Sequence, residues 1–188
     1  MFRLGSLFKR QTHDPAPAPA APMPSHVEPT GPDVLEQARA HSVAPGTHIS
    51  YSPDLIDKLR ADHAELLNVF MAIQASTTAG DLQQASAKLG EFRRALQAHL
   101  LTENVRLYVY LEHMLATDKL SHDLMHDFRS DMADIGKAVI DFLNKYRDLA
   151  VRPDLAESFP AELATVGTVL TERIQREEDT LYPLYIPA

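Results

Sequence analysis

Ionisable side chains recur at helical spacing on positions that should face a protein interior. His99 and Glu103 are four residues apart, and Arg173 and Glu177 repeat that spacing near the end of the chain. Residues four apart stack on one face of an α-helix. Because imidazole and carboxylate are ligands for iron, manganese and zinc, these groups suggest a metal site built from nitrogen and oxygen donors. The cation at Arg173 is unexpected in such a place.

A third segment adds His63 to this set. It falls within an apolar stripe of three- and four-residue spacing, formed by Leu55, Leu59, Leu66, Phe70 and Ile73. Unpaired charges inside a core cost several kcal/mol each, so inward-facing groups need compensation. Two solutions remain open from the residues alone. Either a metal ion binds the histidines and glutamates, or hydrogen bonds and the arginines Arg173 and Arg106 satisfy them.

Four amphipathic segments are needed to position these groups. The first begins with Ser52 as N-cap and Pro53 at the first helical position, and runs to about residue 78. Further helices are predicted at about 81–115, interrupted only by Gly90, at about 118–148 and at about 158–182. No strand pattern is visible. The sequence therefore predicts an all-α fold, an up-down-up-down four-helix bundle over residues 51–188.

Residues 1–50 differ from the rest in composition. Nine of the 13 prolines fall within residues 1–53, and the stretch DPAPAPAAPMPSHVEPTGP at 14–32 cannot form a packed core. We expect a disordered, Pro-rich N-terminal tail. Its first ten residues, MFRLGSLFKR, could form a short amphipathic tether that touches a membrane surface or a partner protein.

The bulk composition excludes several classes of protein. The net charge of −8 argues against nucleic-acid binding, which usually needs a basic face. The chain has no cysteine, which excludes disulfides, zinc fingers, iron–sulfur clusters and thiol nucleophiles. It has no apolar run of about 18 residues and no secretory h-region, so we expect no transmembrane segment and a cytoplasmic location.

Four stretches resemble the hemerythrin-like domain of the HHE cation-binding type. They are LRADHAELLNVFMAI at 59–73, LQAHLLTENVRLYVYLE at 96–112, FRSDMADIGKAVIDFLNKY at 128–146 and LTERIQREEDTLYPLY at 170–185. The resemblance covers residues 50–186. It implies a four-helix bundle whose interior holds two non-haem irons, in a family associated with oxygen or nitric oxide sensing, iron handling and repair of iron centres.

The resemblance also implies specific ligands. The positions that match the family pattern are His63, His99, Glu103 and Glu177. Two positions depart from it. Met132 stands where the third helix of the family has a histidine, and Arg173 stands where the fourth helix has one. The ligands of one iron are thus kept, while both imidazoles of the other are lost.

These departures lead to a specific hypothesis. The guanidinium of Arg173 occupies roughly the place of the second metal and pairs with both glutamates, and Met132 packs beside the site as an apolar filler. The chain would then bind one non-haem iron and act as a sensor or regulator that responds to oxygen, nitric oxide or iron. The alternative is a metal-free pseudo-hemerythrin that serves as a scaffold for an unknown protein partner. An enzyme is disfavoured, because two-electron oxygen chemistry generally needs two irons.

His122 and His126 are possible alternative imidazoles on the third helix. They are four residues apart, as in some family members. The apolar seam through Met125, Phe128 and Met132 places His126 about 120° away from Met132 around the helix. We therefore expect both histidines to face water or a helix edge.

Overall fold

The computed structural model describes residues 42–188. Most of the predicted N-terminal tail, including the possible tether at residues 1–10 and the Pro-rich stretch at residues 14–32, lies outside the described residues.

Helices make up most of the described chain. They are α1 (Leu55–Thr78), α2 (Leu82–Thr102), α3 (Val109–Met114), α4 (Lys119–Lys145), α5 (Pro153–Ala156) and α6 (Phe159–Arg176). A π-helical segment, Glu103–Tyr108, joins α2 to α3, and a second, Glu177–Leu181, follows α6. Short 3-10 turns lie at Leu149–Val151 and Tyr182–Leu184. None of the described helices is both long enough and apolar enough to cross a bilayer.

Two apolar clusters show that neighbouring helices run antiparallel. The first joins the ends of α1 and α4 to the starts of α2 and α6; its members include Phe70, Phe92, Phe142 and Leu163. The second joins the start of α1 to α3, to the start of α4 and to the segment after α6; its members include Leu59, Leu111, Phe128 and Leu181. The predicted up-down-up-down four-helix bundle is confirmed.

Aspartates set the starts of two bundle helices. Asp81 accepts a hydrogen bond from the Gln84 N–H at 2.9 Å, and Asp118 caps α4 in the same way. The first helix begins differently from the prediction. The hydroxyl of Ser52 does not cap it; instead the Ser52 carbonyl accepts the Leu55 N–H at 3.1 Å, so one turn precedes the regular helix. Gly90, expected to interrupt the second helix, lies within a continuous α2.

Residues 42–50 were predicted to be part of the tail, but they form a turn against the bundle. Val43 and Ser50 form an antiparallel bridge, the only β-pairing among residues 42–188. The side chain of Ala44 is 1% exposed and belongs to the second apolar cluster. One small apolar residue among polar ones carries no periodic pattern, which is why the sequence did not indicate this contact.

Candidate metal centre

Three buried side chains from three helical segments converge between the two apolar clusters. His63 of α1, His99 of α2 and Glu177 after α6 each offer one ligand atom, and these atoms lie within 4.8 Å of one another. The two histidine Nε2 atoms are 3.2 Å apart, and His63 Nε2 is 3.3 Å from Glu177 Oε2. Bonds of about 2.0–2.1 Å to a tetrahedral ion put neighbouring donor atoms about 3.3 Å apart. This triad therefore has the spacing of donors that share one ion.

A carboxylate lies near the other nitrogen of each imidazole, but only one of the two forms a hydrogen bond. His63 Nδ1 lies 2.8 Å from Glu178 Oε1, to which it donates a hydrogen bond. Such a bond leaves Nε2 as the ligand atom and orients the ring towards the triad. Asp62 Oδ2 is 3.9 Å from His99 Nδ1, which is too far for a hydrogen bond, and that nitrogen is buried without a partner.

Glu103, the fourth predicted ligand, lies at the edge of the triad. Its side chain is fully buried, and Oε2 is 3.6 Å from His99 Nε2. The Tyr182 hydroxyl donates to Glu103 Oε1 at 3.2 Å and is also 3.2 Å from His63 Nε2. Tyr182 therefore links Glu103 to the imidazole of the first helix.

Arg173 points into the bundle, with only 1% of its surface exposed. Its Nε is 2.8 Å from Glu177 Oε1, an ion pair whose angle is not that of an aligned hydrogen bond. Nη2 donates to the Tyr108 hydroxyl at 3.0 Å and to the Phe128 carbonyl at 2.9 Å. The guanidinium carbon also lies 4.7 Å above the Phe128 ring. The sequence predicted that Arg173 would pair with both glutamates. It pairs with Glu177, but its hydrogen bonds go to Tyr108 and Phe128 and not to Glu103.

Burial and neighbouring charges change the protonation of these groups. Burial opposes charge on His63, but hydrogen bonds to Glu177 and Glu178 outweigh it and raise the His63 pKa. Burial, together with the nearby His63, lowers the pKa of His99 to about 3. Burial and the charge of Glu177 raise the pKa of Glu103 to about 8. In the metal-free protein at neutral pH, His99 is thus neutral and Glu103 is mostly protonated, and a bound ion would displace that proton.

Unpartnered buried atoms test whether a metal fits. Among the described residues, both carboxylate oxygens of Glu177 and Oε2 of Glu103 are buried without a hydrogen-bond partner. Oε1 of Glu177 is compensated by the ion pair with Arg173, whereas a buried polar atom that is left wholly unsatisfied costs about 1–3 kcal/mol. Two imidazoles with two carboxylates form a donor set that suits iron, manganese or zinc. The residues therefore fit one ion. On the far side of Glu177 the chain offers Arg173 and Met132 instead of imidazoles, so they do not fit a second.

A small cavity adjoins the triad. It has a volume of about 20 Å³, which is room for one water-sized molecule. His63, His99, Arg173 and Glu177 are its polar lining residues, and most of the remaining wall is aliphatic. Met132 is buried and contributes to this wall, at the position where we expected an apolar filler.

The alternative imidazoles do not join the buried triad. His122 and His126 both contact Glu112, at Nε2 to Oε1 distances of 3.2 and 3.3 Å. They lie at the edge of the bundle, as the helical phase predicted. Arg106, which the metal-free hypothesis also invoked, is exposed, so Arg173 is the buried cation beside the glutamates.

Three side chains of this site were missed by sequence reasoning. Glu178 follows a predicted ligand directly and could have been found as the partner that a ligating histidine needs. Tyr108 and Tyr182 each lie five residues after a buried glutamate, within the matching stretches ENVRLY and EEDTLY. Both stretches are largely π-helical, and a π-helix pairs residues five apart. The repeated Glu-x-x-x-Leu-Tyr spacing was therefore a readable signal.

Comparison with known proteins gives one match. A family model, the hemerythrin HHE cation-binding domain, matches residues 54–185. No curated protein and no solved structure is similar enough to match the chain. Domains of this family usually bind iron, and the buried histidines and glutamates lie within the matched range. Because the match spans the whole bundle, the chain belongs to the hemerythrin HHE cation-binding domain family.

Proposed function

We propose that this protein binds a single non-haem iron ion and acts as a sensor or regulator that responds to oxygen, nitric oxide or iron. The observation that carries the proposal is the convergence of His63, His99 and Glu177 within 4.8 Å inside the bundle. Glu103 is the fourth ligand in this proposal, since its unpartnered Oε2 lies beside His99. The cytoplasmic location expected from the sequence is part of the same proposal.

The proposed stoichiometry of one ion rests on Arg173. A guanidinium is permanently charged, so it balances the carboxylate of Glu177 without a second metal. It is held in place by the Tyr108 hydroxyl, the Phe128 carbonyl and the Phe128 ring. Ejecting it would cost these contacts as well as the ion pair. A second ion beside Glu177 would therefore meet a fixed cation and the thioether of Met132 in place of two imidazoles.

The small cavity beside the triad supports the proposal that a bound ion takes a small diatomic ligand. When bound, the ion supplies a coordination position that a diatomic molecule or a water can take. The chain's own contribution is a largely apolar wall, to which Met132 and Leu170 belong. Outside the bundle, an open cleft of about 390 Å³ between α1 and α2 reaches His99 and is lined by Asp62 and Arg94. This cleft is the entry route in our proposal.

A metal-free scaffold is the second candidate, and a specific set of contacts favours it. His63 forms ion pairs with Glu177 and Glu178, while Arg173 pairs with Glu177. With Glu103 protonated, the buried charges are then largely balanced without an ion. In that case the bundle would act through contacts with a protein partner, and the Pro-rich N-terminal residues would serve as a tether.

Metal content separates the two candidates. The protein is produced with iron supplied, and bound iron per chain is measured together with the visible absorption spectrum. We expect about one iron per chain, lost in His99→Ala and retained in His48→Ala, which changes an exposed histidine. Iron-free protein from an iron-rich preparation would favour the scaffold. About two irons with an oxo-bridge absorption band would show that Arg173 does not replace a metal.

A further inference from the structure

A second cluster of metal-ligating side chains lies outside the buried triad. Glu112 of α3 and the two histidines His122 and His126 of α4 each offer one ligand atom, and these atoms lie within 4.8 Å of one another. Glu112 is nine residues beyond Glu103, which is about 13 Å along a helix. The cluster therefore belongs to a different part of the bundle, beside the connection between α3 and α4.

The geometry of the cluster is that of converging donors. His122 Nε2 and His126 Nε2 are 3.2 and 3.3 Å from the same oxygen, Glu112 Oε1. These distances equal the spacing of about 3.3 Å between donors of a tetrahedral ion with bonds of about 2.0–2.1 Å. The two imidazoles are four residues apart on one helix, with ring centroids 4.5 Å apart in an edge-to-face arrangement. Each ring therefore restricts the rotation of the other.

Hydrogen bonding alone leaves one feature of this arrangement unexplained. A carboxylate oxygen can accept two donors, but two imidazoles could equally use one oxygen each. Here both point at Oε1, while Glu112 Oε2 is buried and has no hydrogen-bond partner. The nearest cation to Oε2 is Arg129, whose Nη1 is 3.9 Å away, beyond hydrogen-bond distance. Three ligand atoms within 4.8 Å of one another, beside a buried and unpartnered carboxylate oxygen, are the observations that point to a shared ion.

We propose that Glu112, His122 and His126 bind one divalent transition-metal ion of the zinc class, with water completing its coordination. Two imidazoles and one carboxylate select zinc, nickel, cobalt or copper over magnesium and calcium, which prefer oxygen donors. The side chain of His126 is 48% exposed, so the ion enters from solvent and keeps an open side. By joining α3 to α4, the ion clamps the connection at residues 115–118.

The test uses the full-length protein, stripped of metal with a chelator and titrated with Zn²⁺ alone. A His99→Ala background disables the buried triad, so that remaining binding reports the surface cluster. We expect about one Zn²⁺ per chain in this background, with affinity reduced more than about tenfold by adding His126→Gln or Glu112→Gln, since even an outer partner of a ligand contributes that much. Adding His48→Gln, an exposed histidine elsewhere, leaves the affinity unchanged.

A second measurement covers the case in which His99→Ala does not fold. In the otherwise unchanged protein, Zn²⁺ should raise the melting temperature, and the part of this increase that is due to the cluster should disappear in His126→Gln and persist in His48→Gln. Co²⁺ substitution should give a visible ligand-field spectrum that His126→Gln alters. Equal Zn²⁺ affinity and equal melting shifts in His126→Gln and His48→Gln would overturn the proposal.

Discussion

The buried site has two halves that share the same sequence spacing but carry different side chains. In the half that we call the histidine half, His99 lies one turn before Glu103. In the half that we call the arginine half, Arg173 lies one turn before Glu177. Each glutamate begins a π-helical segment. Short π-helical stretches inside α-helices occur frequently at functional sites, and here both mark the buried glutamates.

The tyrosines that end the two repeated stretches cross between the halves. Tyr182, from the arginine half, contacts Glu103 and His63. Tyr108, from the histidine half, contacts Arg173. Each half thus contributes a tyrosine that contacts the other half, although the side chains contacted are different.

This difference teaches what a cation built into the chain can and cannot replace. The guanidinium of Arg173 balances the charge of Glu177, as a metal ion would. It has no coordination position for a ligand, and it cannot change oxidation state. Charge balance is therefore preserved in the arginine half, and our proposal assigns ligand binding to the histidine half.

The largest expected effect comes from making the two halves alike. Met132→His together with Arg173→His returns two imidazoles to the arginine half, beside the existing Glu177. We expect iron content to rise from about one towards two per chain, measured by metal analysis and the visible spectrum. Each single substitution is the control and should raise it less. An unchanged iron content in the double variant would break the correspondence between the halves.

Removing the cation without replacing it should cost folding stability. Arg173→Met leaves the buried Glu177 carboxylate without its ion pair, and breaking a buried pair typically costs about 3–5 kcal/mol. The free energy of unfolding of the metal-free protein, measured in denaturant, checks this. Arg176→Met is the matched control, because that exposed side chain lies over the same Phe128 ring and its ion pair with Asp131 is worth at most about 1 kcal/mol. Equal losses in both variants would contradict a special role for Arg173.

Glu178 allows a test of the histidine half alone. Its carboxylate accepts the hydrogen bond that orients His63, so Glu178→Gln should weaken iron binding by about 10–100-fold. Affinity is measured by competition with a chelator. Asp179→Asn, at an exposed neighbouring acid, should change it little. A comparable loss in both variants would mean that general negative charge, not the contact with His63, supports the site.

The smallest effects should come from the crossing tyrosines, and they should differ in kind. Tyr182→Phe removes the donor to Glu103 and should change metal affinity. Tyr108→Phe removes one acceptor of Arg173 and should cost about 1–3 kcal/mol of stability while leaving metal affinity nearly unchanged. Unfolding curves and metal titrations of the two variants give the comparison. Identical profiles would show that the two hydroxyls do not serve separate halves.

Much of the fold could be predicted from local rules. Apolar periodicity indicated all four bundle helices, and Asp118 marked the start of α4. The predictions failed where a backbone group or a distant contact, and not a local side-chain pattern, sets the structure. Ser52 contributes its carbonyl instead of its hydroxyl, and the docked turn around Ala44 depends on a distant apolar cluster. Neither contact leaves a periodic trace in the sequence.

The candidate site was predicted in its residue types but not in its contacts. Helical phase alone predicted that His63, His99 and Glu177 face inward. It also predicted that His126 faces away from Met132. It could not show which acceptor Arg173 would choose, since Tyr108, Phe128 and Glu103 all lie within plausible reach of a long side chain. Nor could it show that His122 and His126 meet Glu112 from a neighbouring helix.

The sequence by itself determined the bundle and the inward ionisable groups, because these depend on residue type and on a helical period. The loss of two imidazoles is what the resemblance to the family implies. Only the tertiary structure decided which atoms meet. It joined Arg173 to Tyr108 and the Phe128 carbonyl, crossed the two tyrosines between halves, and brought Glu112 to a pair of histidines. Contacts between helices depend on how neighbouring segments pack, and that relation has no period along the chain.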